Sequence, residues 1–163
     1  MTQGDIVKET GLIIQDFLIK ASGDITKGML YIDDGAGLVA VTAATAAINK
    51  PVMALETRVY ATDTANGVAH TVPCVVRGNV VAAKVTSGGV VPVLSKLLIS
   101  ATAGKVGIFV AGTAPGGGST TYYTTAIDAA ILASAIIDLG VVGFATKASV
   151  DADTTQEMWL GAT

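Results

Sequence analysis

The sequence predicts an all-β fold, mainly strands with one short helix, set out as two related small modules of the β-barrel or β-sandwich (tulip-like) kind. Two observations carry the class. Apolar and polar residues alternate in short runs, the period-two signal of half-buried strands, and Gly-containing turns separate the runs at regular spacing. A third observation, an internal repeat, carries the duplication.

Taken in order, residues 1–15 have no counterpart in the repeat and are assigned to an N-terminal arm. Leu12, Ile13, Ile14 and Phe17 make an apolar stretch there that a small barrel does not need. It is either an arm that docks on a neighbouring subunit or a first strand of the same chain. The first module, 16–85, holds strand candidates in "DFLIKA", "MLYID", "PVMALETRVY", "AHTVPCVVRG" and "NVVAAKV", with turns at "DDGAG" (33–37) and "TANG" (64–67). In "PVMALETRVY" the set Met53, Leu55, Thr57, Val59 opposes Glu56 and Arg58, so the first set should face the core. In "AHTVPCVVRG" the set His70, Val72, Cys74, Val76 opposes Thr71, Pro73, Val75, Arg77. Pro73 cannot donate to a ladder and marks an edge or a bulge. The second module, 89–163, holds "KLLIS", the "TAG" turn (102–104) and a long inserted loop at about 110–136. The one helical reading, Thr124–Ser134, lies in that loop, with Ile127, Ile131 and Leu132 at helical spacing.

The repeat appears when Gly37 is set over Gly104. "LYIDDGAGLVAV" (30–41) then matches "LLISATAGKVGI" (97–108) at an offset of 67: apolar strand, polar turn with Ala-Gly, apolar strand. Further on, "INKPVMALETR" (48–58) matches "IDLGVVGFATK" (137–147) at an offset of 89, and "VVRG" ending at Gly78 matches "MWLG" ending at Gly161. The change of offset is the inserted loop.

Composition narrows the function. The chain of 163 residues is long enough for one domain or for two very small lobes sharing a core. Charged residues are 14% against about 25% in an average soluble domain, and hydrophobic ones 51%, so too little charge is left to coat an isolated monomer; an oligomer is expected. The net charge of −3 and the lack of any Lys/Arg cluster exclude the electrostatic footprint of a nucleic-acid binder. One cysteine, Cys74, excludes an internal disulfide framework, and the start of the sequence has no basic segment before its apolar run, so folding in a reducing cytoplasm is expected. The longest apolar stretch, 126–145, contains Asp128 and Asp138, which are costly in hydrocarbon, and no membrane association is expected.

No constellation points to catalysis. "TAGKVGIF" (102–109) has Val106 where a phosphate-binding loop needs Ser or Thr after Gly-Lys, and Ile99 where it needs its first Gly; it reads as a hairpin turn. His70 and Cys74 lie four apart, but there is no other His or Cys to close a zinc site or to serve a nucleophilic triad. "GGGST" (116–120) is a flexible loop and not a nucleophile elbow. Asp33, Asp34, Asp151 and Asp153 sit in turns, where Asp bonds its own backbone. No catalytic, metal or cofactor site is expected. Aromatics are 5% of the chain, and Tyr122, Tyr123 and Trp159 are candidate interface anchors, with Trp159 equally suited to the core of the second module.

The run "SGDITKGMLYIDDGAGLVAVTAATAAINKPVMALETRVYATDTANGVAHTVPCVVRGNV" resembles the capsid decoration (cement, head-stabilising) proteins of tailed bacteriophages and related archaeal viruses. The matching elements are Gly23–Leu30, Asp33–Gly37, Thr42–Ala47, Val52–Leu55, Asp63–Gly67 and Val75–Gly78, and "DLGVVGFATKASVDADTTQEMWLG" is similar to a second copy. The resemblance implies a non-enzymatic structural protein of the virion, made in the host cytoplasm. It would be a homo-oligomer, a trimer by preference, binding the major capsid protein on the outer surface of an icosahedral shell. The Gly-rich insertion with Tyr122 and Tyr123 departs from the family pattern. The alternative expectation is a carbohydrate- or small-ligand-binding β module that uses Tyr122, Tyr123 and Asp128.

Overall fold

Alternating runs become antiparallel ladders. The computed structural model describes residues 1–41, 50–84, 90–100, 102–108 and 141–161. Its elements are β1 Ile6–Leu18, β2 Asp24–Ile25, β3 Leu30–Asp33, β4 Leu38–Ala40, β5 Val52–Ala54, β6 Arg58–Val59, α1 Tyr60–Ala65, β7 Thr71–Ala83, β8 Lys96–Ile99, β9 Val106–Ile108, β10 Val141–Ala145 and β11 Thr155–Leu160. Nine strands form one antiparallel sheet, in the order β4-β3-β5-β7-β11-β10-β8-β9 with β1 against β7, while β2 pairs β6 separately. The sheet curls into a half-barrel. The Gly104 N–H donates to the Val41 carbonyl and the Leu30 N–H to the Gly104 carbonyl, both at 2.8 Å, so the β8–β9 turn is tied to the β3–β4 hairpin.

The curl encloses the main core, to which strands from both ends contribute: Leu30, Met53, Val80, Leu97, Val106 and Met158 are all inaccessible. A second cluster, including Ile25, Tyr31, Leu38, Val52 and Cys74, lies on the opposite face of the first-half strands. Those strands are therefore covered on both sides, and β5 is buried at every residue.

The sheet turns a corner within β7. A straight strand rises about 3.3 Å per residue, which would put Cys74 and Ala83 about 30 Å apart. Yet Gly28 touches both ends. Its N–H donates at 2.7 Å to Ala54, the partner of Cys74, and its carbonyl accepts from the Ala83 N–H at 2.8 Å. The corner lies at 76–78. Pairing with β1 slips there, Ile13 facing Arg77 and Ile14 facing Val75, and the inward-facing set changes from Val75 to Val80 and Ala82, a switch of parity that an extra residue in the strand produces. Gly78 sits at this corner with φ +150°, and a Cβ there would lie 2.7 Å from Leu12 Cδ1.

Several sequence expectations are corrected. "AHTVPCVVRG" and "NVVAAKV" are one bent strand, β7, and not two. Pro73 lies inside the paired stretch, opposite Asp16, with its carbonyl accepting from the Leu55 N–H; the bulge falls three residues later. "PVMALETRVY" does not run as one strand: after β5 the chain bends, forms two residues of β6 and winds into α1. Leu55 is half-buried against the main core, Thr57 is exposed and Val59 is 41% exposed, so the expected core face ends with Leu55. α1 is the helix of the described residues; Thr124–Ser134 and the loop at about 110–136 lie outside them.

The described strands of residues 16–85 and 89–163 share this one sheet, and its order reads the same from both ends when β3, β4, β5, β7 are set against β8, β9, β10, β11. Hairpin register agrees. Tyr31 faces Ala40 and Ile32 faces Val39; 67 residues on, Leu98 faces Gly107 and Ile99 faces Val106.

Gly78→Ala should cost about 1–3 kcal/mol in urea unfolding, from backbone strain and the clash with Leu12. Gly67→Ala, also at positive φ but with nothing near the added methyl, should cost about 1 kcal/mol. Equal costs would remove the corner from Gly78.

Candidate functional site

The apolar N-terminal stretch is a first strand, β1, lying on β7 of its own chain. Its residues divide by contact. Leu12 packs over Gly78 against the main core, and Phe17 packs against the second cluster. Ile13 and Ile14 stay 50% and 47% exposed, and Leu18, which the sequence did not single out, 62%. Trp159 does not fill the core. In β11, Gln156, Met158 and Leu160 point inward, so Trp159 lies on the other face, half-buried, with its ring against Gly11 of β1. Tyr122, Tyr123 and Asp128 lie outside the described residues.

The polar side chains that converge do so around α1. Arg58 Nε donates to Asp63 Oδ2 at 2.9 Å and its Nη2 to the Ala69 carbonyl at 2.9 Å, while Glu56 stands 3.5 Å from Nη1. Asp63 and then Glu56 push the guanidinium pKa up, so the charge is locked in place. The Thr64 hydroxyl donates to the Tyr60 carbonyl at 2.9 Å and lies 3.3 Å from His70 Nε2. With that hydroxyl proton given to Tyr60, Thr64 Oγ1 is left to accept from His70 Nε2, while His70 Nδ1 is buried and without a partner. The ring stacks on Tyr60 at 4.0 Å. This arrangement staples the excursion between β6 and β7. The sequence signal for it was weak: Arg58 and Asp63 are adjacent only because α1 brings them together.

Other groups are similarly engaged. Burial pushes the Cys74 thiol up to about 12, leaving it without thiolate at neutral pH. Lys20 bridges to Asp34, and with the Ala36 N–H this holds the Asp34 carboxyl below the usual range. Lys20 also lines an open groove of about 470 Å³, together with Tyr31, whose hydroxyl accepts from the Thr26 N–H at 2.7 Å. Lys84, 1% exposed, donates from Nζ to the Val150 carbonyl at 2.9 Å. Among the described residues no three His, Cys, Asp or Glu side chains gather to hold a metal ion, and no helix is long and apolar enough to cross a membrane.

No family model, curated protein or solved structure matches the chain.

Arg58→Ala should lower the melting temperature by several degrees and speed amide exchange at Asn66–Ala69, with Arg58→Lys recovering part of both; unchanged exchange would detach Arg58 from the staple. Cys74 should resist thiol reagents in the native state. Its raised pKa means that folding favours the protonated thiol. That contribution is intact below the unfolded value near 9 and is lost as pH rises towards about 12, so Cys74→Ala should flatten the alkaline unfolding curve over that window.

Proposed function

We propose that the chain is a structural virion protein, a decoration or cement protein that binds the major capsid protein on the outer surface of an icosahedral shell and stabilises it as a homo-oligomer, with a trimer preferred. The observation that carries this reading is the large apolar side chains left in solvent: Ile13, Ile14 and Leu18 on strand β1, and Val90, Val93, Leu94 and Val150 in turns and connections. Apolar side chains grouped in this way mark surfaces that other polypeptides cover. The similarity of 22–80 to the decoration-protein phrase supplies the kind of partner.

Two related modules, 16–85 and 89–163, belong to the same proposal. The palindromic strand order and the shared hairpin register support a duplicated unit whose copies merge through β7 and β11. No reaction is needed for the role. A protein that binds the closed shell and not its dissociated subunits stabilises the shell by mass action, by about 2.7 kcal/mol per site at a hundredfold excess over Kd.

Purified protein added to undecorated shells of its virus should co-sediment with them and raise the temperature at which they break open. Absence of co-sedimentation at micromolar protein would defeat the reading.

A further inference from the structure

The excursion between β6 and β7 contains Asn66–Gly67, a pair that its own chemistry singles out. An asparagine side-chain amide lies within reach of the next backbone nitrogen, and a glycine there puts no side chain in the way of ring closure. Three features leave the pair open to that attack. Both residues are exposed, and a Cβ at Gly67 would meet nothing within 4 Å. The Asn66 side chain has no hydrogen-bond partner among the described residues. The Gly67 N–H is held by one long bond, at 3.2 Å, to the Thr64 carbonyl.

Asp34–Gly35, the other place where an acid or its amide precedes glycine, is closed by comparison. The Gly35 N–H is donated to Asp33 Oδ1 at 2.9 Å. Lys20 and the Ala36 N–H hold the Asp34 carboxyl ionised, and a carboxylate is a poor electrophile.

The fold brakes the reaction at Asn66 without forbidding it. At φ −95° and ψ 1° the residue turns the Gly67 nitrogen away from its own Cβ, whereas a five-membered ring needs the two on the same side. Reaching that geometry releases the Gly67 N–H from Thr64 and pulls on the next bond, from the Val68 N–H to the Asp63 carbonyl at 2.9 Å. Arg58 grips both flanks of this segment, Asp63 through Nε and the Ala69 carbonyl through Nη2. The staple therefore spans the stretch that must open.

We propose that Asn66–Gly67 is a site of spontaneous deamidation in the folded chain, and that the Arg58 staple sets its rate. The Gly67 nitrogen, giving its proton to water, attacks Asn66 Cγ; the N–Cγ bond forms, the Cγ–Nδ2 bond breaks and ammonia leaves. Water then opens the five-membered imide. Cleavage of the nitrogen's bond to Cγ gives aspartate, and cleavage of its bond to the Asn66 backbone carbonyl carbon gives isoaspartate. Either product adds one negative charge to a chain whose net charge is −3, at the C-terminal end of α1, where negative charge is unfavourable. Isoaspartate also routes the backbone through an extra methylene, which displaces Gly67 from Thr64 and slackens the staple. The site is a slow, one-way change of the surface beside α1, and it stands or falls independently of the shell reading.

The test holds the full chain for weeks in mildly alkaline buffer, native or unfolded in urea, followed by peptide mass spectrometry and enzymatic carboxyl methylation of isoaspartate. Native chain should convert at Asn66, more slowly than unfolded chain, to both aspartate and isoaspartate. Asn79, paired within β7, should stay intact as the internal control. Asn66→Gln, whose longer side chain must close a less favourable six-membered ring, should form no isoaspartate there and keep the melting temperature. Arg58→Ala should speed native conversion by about two- to fivefold, with Arg58→Lys between it and wild type, and neither should change the rate in urea. Native Asn66 that stays intact after the unfolded chain has converted overturns the site. Conversion to aspartate alone overturns the imide route, and equal native rates with and without Arg58 overturn the gating.

Discussion

The bend in β7 is the constraint on which the rest of the structure depends. One strand of thirteen residues pairs β5 near its start and β11 along its second half, with β1 beside it for most of its length. A straight β7 would hold these neighbours in a flat array with an open face. Turned at 76–78, it brings Gly28 within hydrogen-bond reach of residues near both of its ends and lets the sheet enclose a core. The absence of a side chain at Gly78 leaves room for Leu12, which is how β1 gains a half-buried anchor while most of its residues stay in solvent.

Much of this was legible in the sequence, and the failures have physical causes. The turns at 33–37 and 102–104 join β3 to β4 and β8 to β9, because Gly and Asp favour the tight backbone that a hairpin needs. The length of β7 was hidden by Gly78, which reads as a terminator when only local propensity is considered and acts as a hinge when the core demands one. α1 was hidden because "YATDTA" is only six residues long and four of them are weak helix formers, and the Arg58–Asp63 pair that braces it is encoded by no local pattern. Alternation misled where both faces of a strand are covered, as in β5, and where strand gives way to bend, as after Leu55.

The candidate surfaces divide in the same way. The apolar stretch around Ile13 and Ile14 stood out because it exceeded what a small core requires. "VVPVLSK" did not, since apolar residues in a strand-rich chain are assumed to be inside. Only the turn geometry shows that Val90, Val93 and Leu94 point away from the core while Val91 and Leu97 enter it. Trp159 was ambiguous for a simpler reason: alternation in β11 gives two faces, and sequence alone does not say which one the half-barrel encloses.

The ladder between β7 and β11 joins residues 78–83 to 155–160, roughly eighty positions apart along the chain, and such distant pairings form slowly because loop closure must come first. During synthesis, β7 leaves the ribosome long before β11 exists. Its Val80–Ala83 segment, apolar and without a partner on that edge, then waits as an open template for the same segment of another nascent chain. The time for which that edge stands open therefore sets the window for such misassembly.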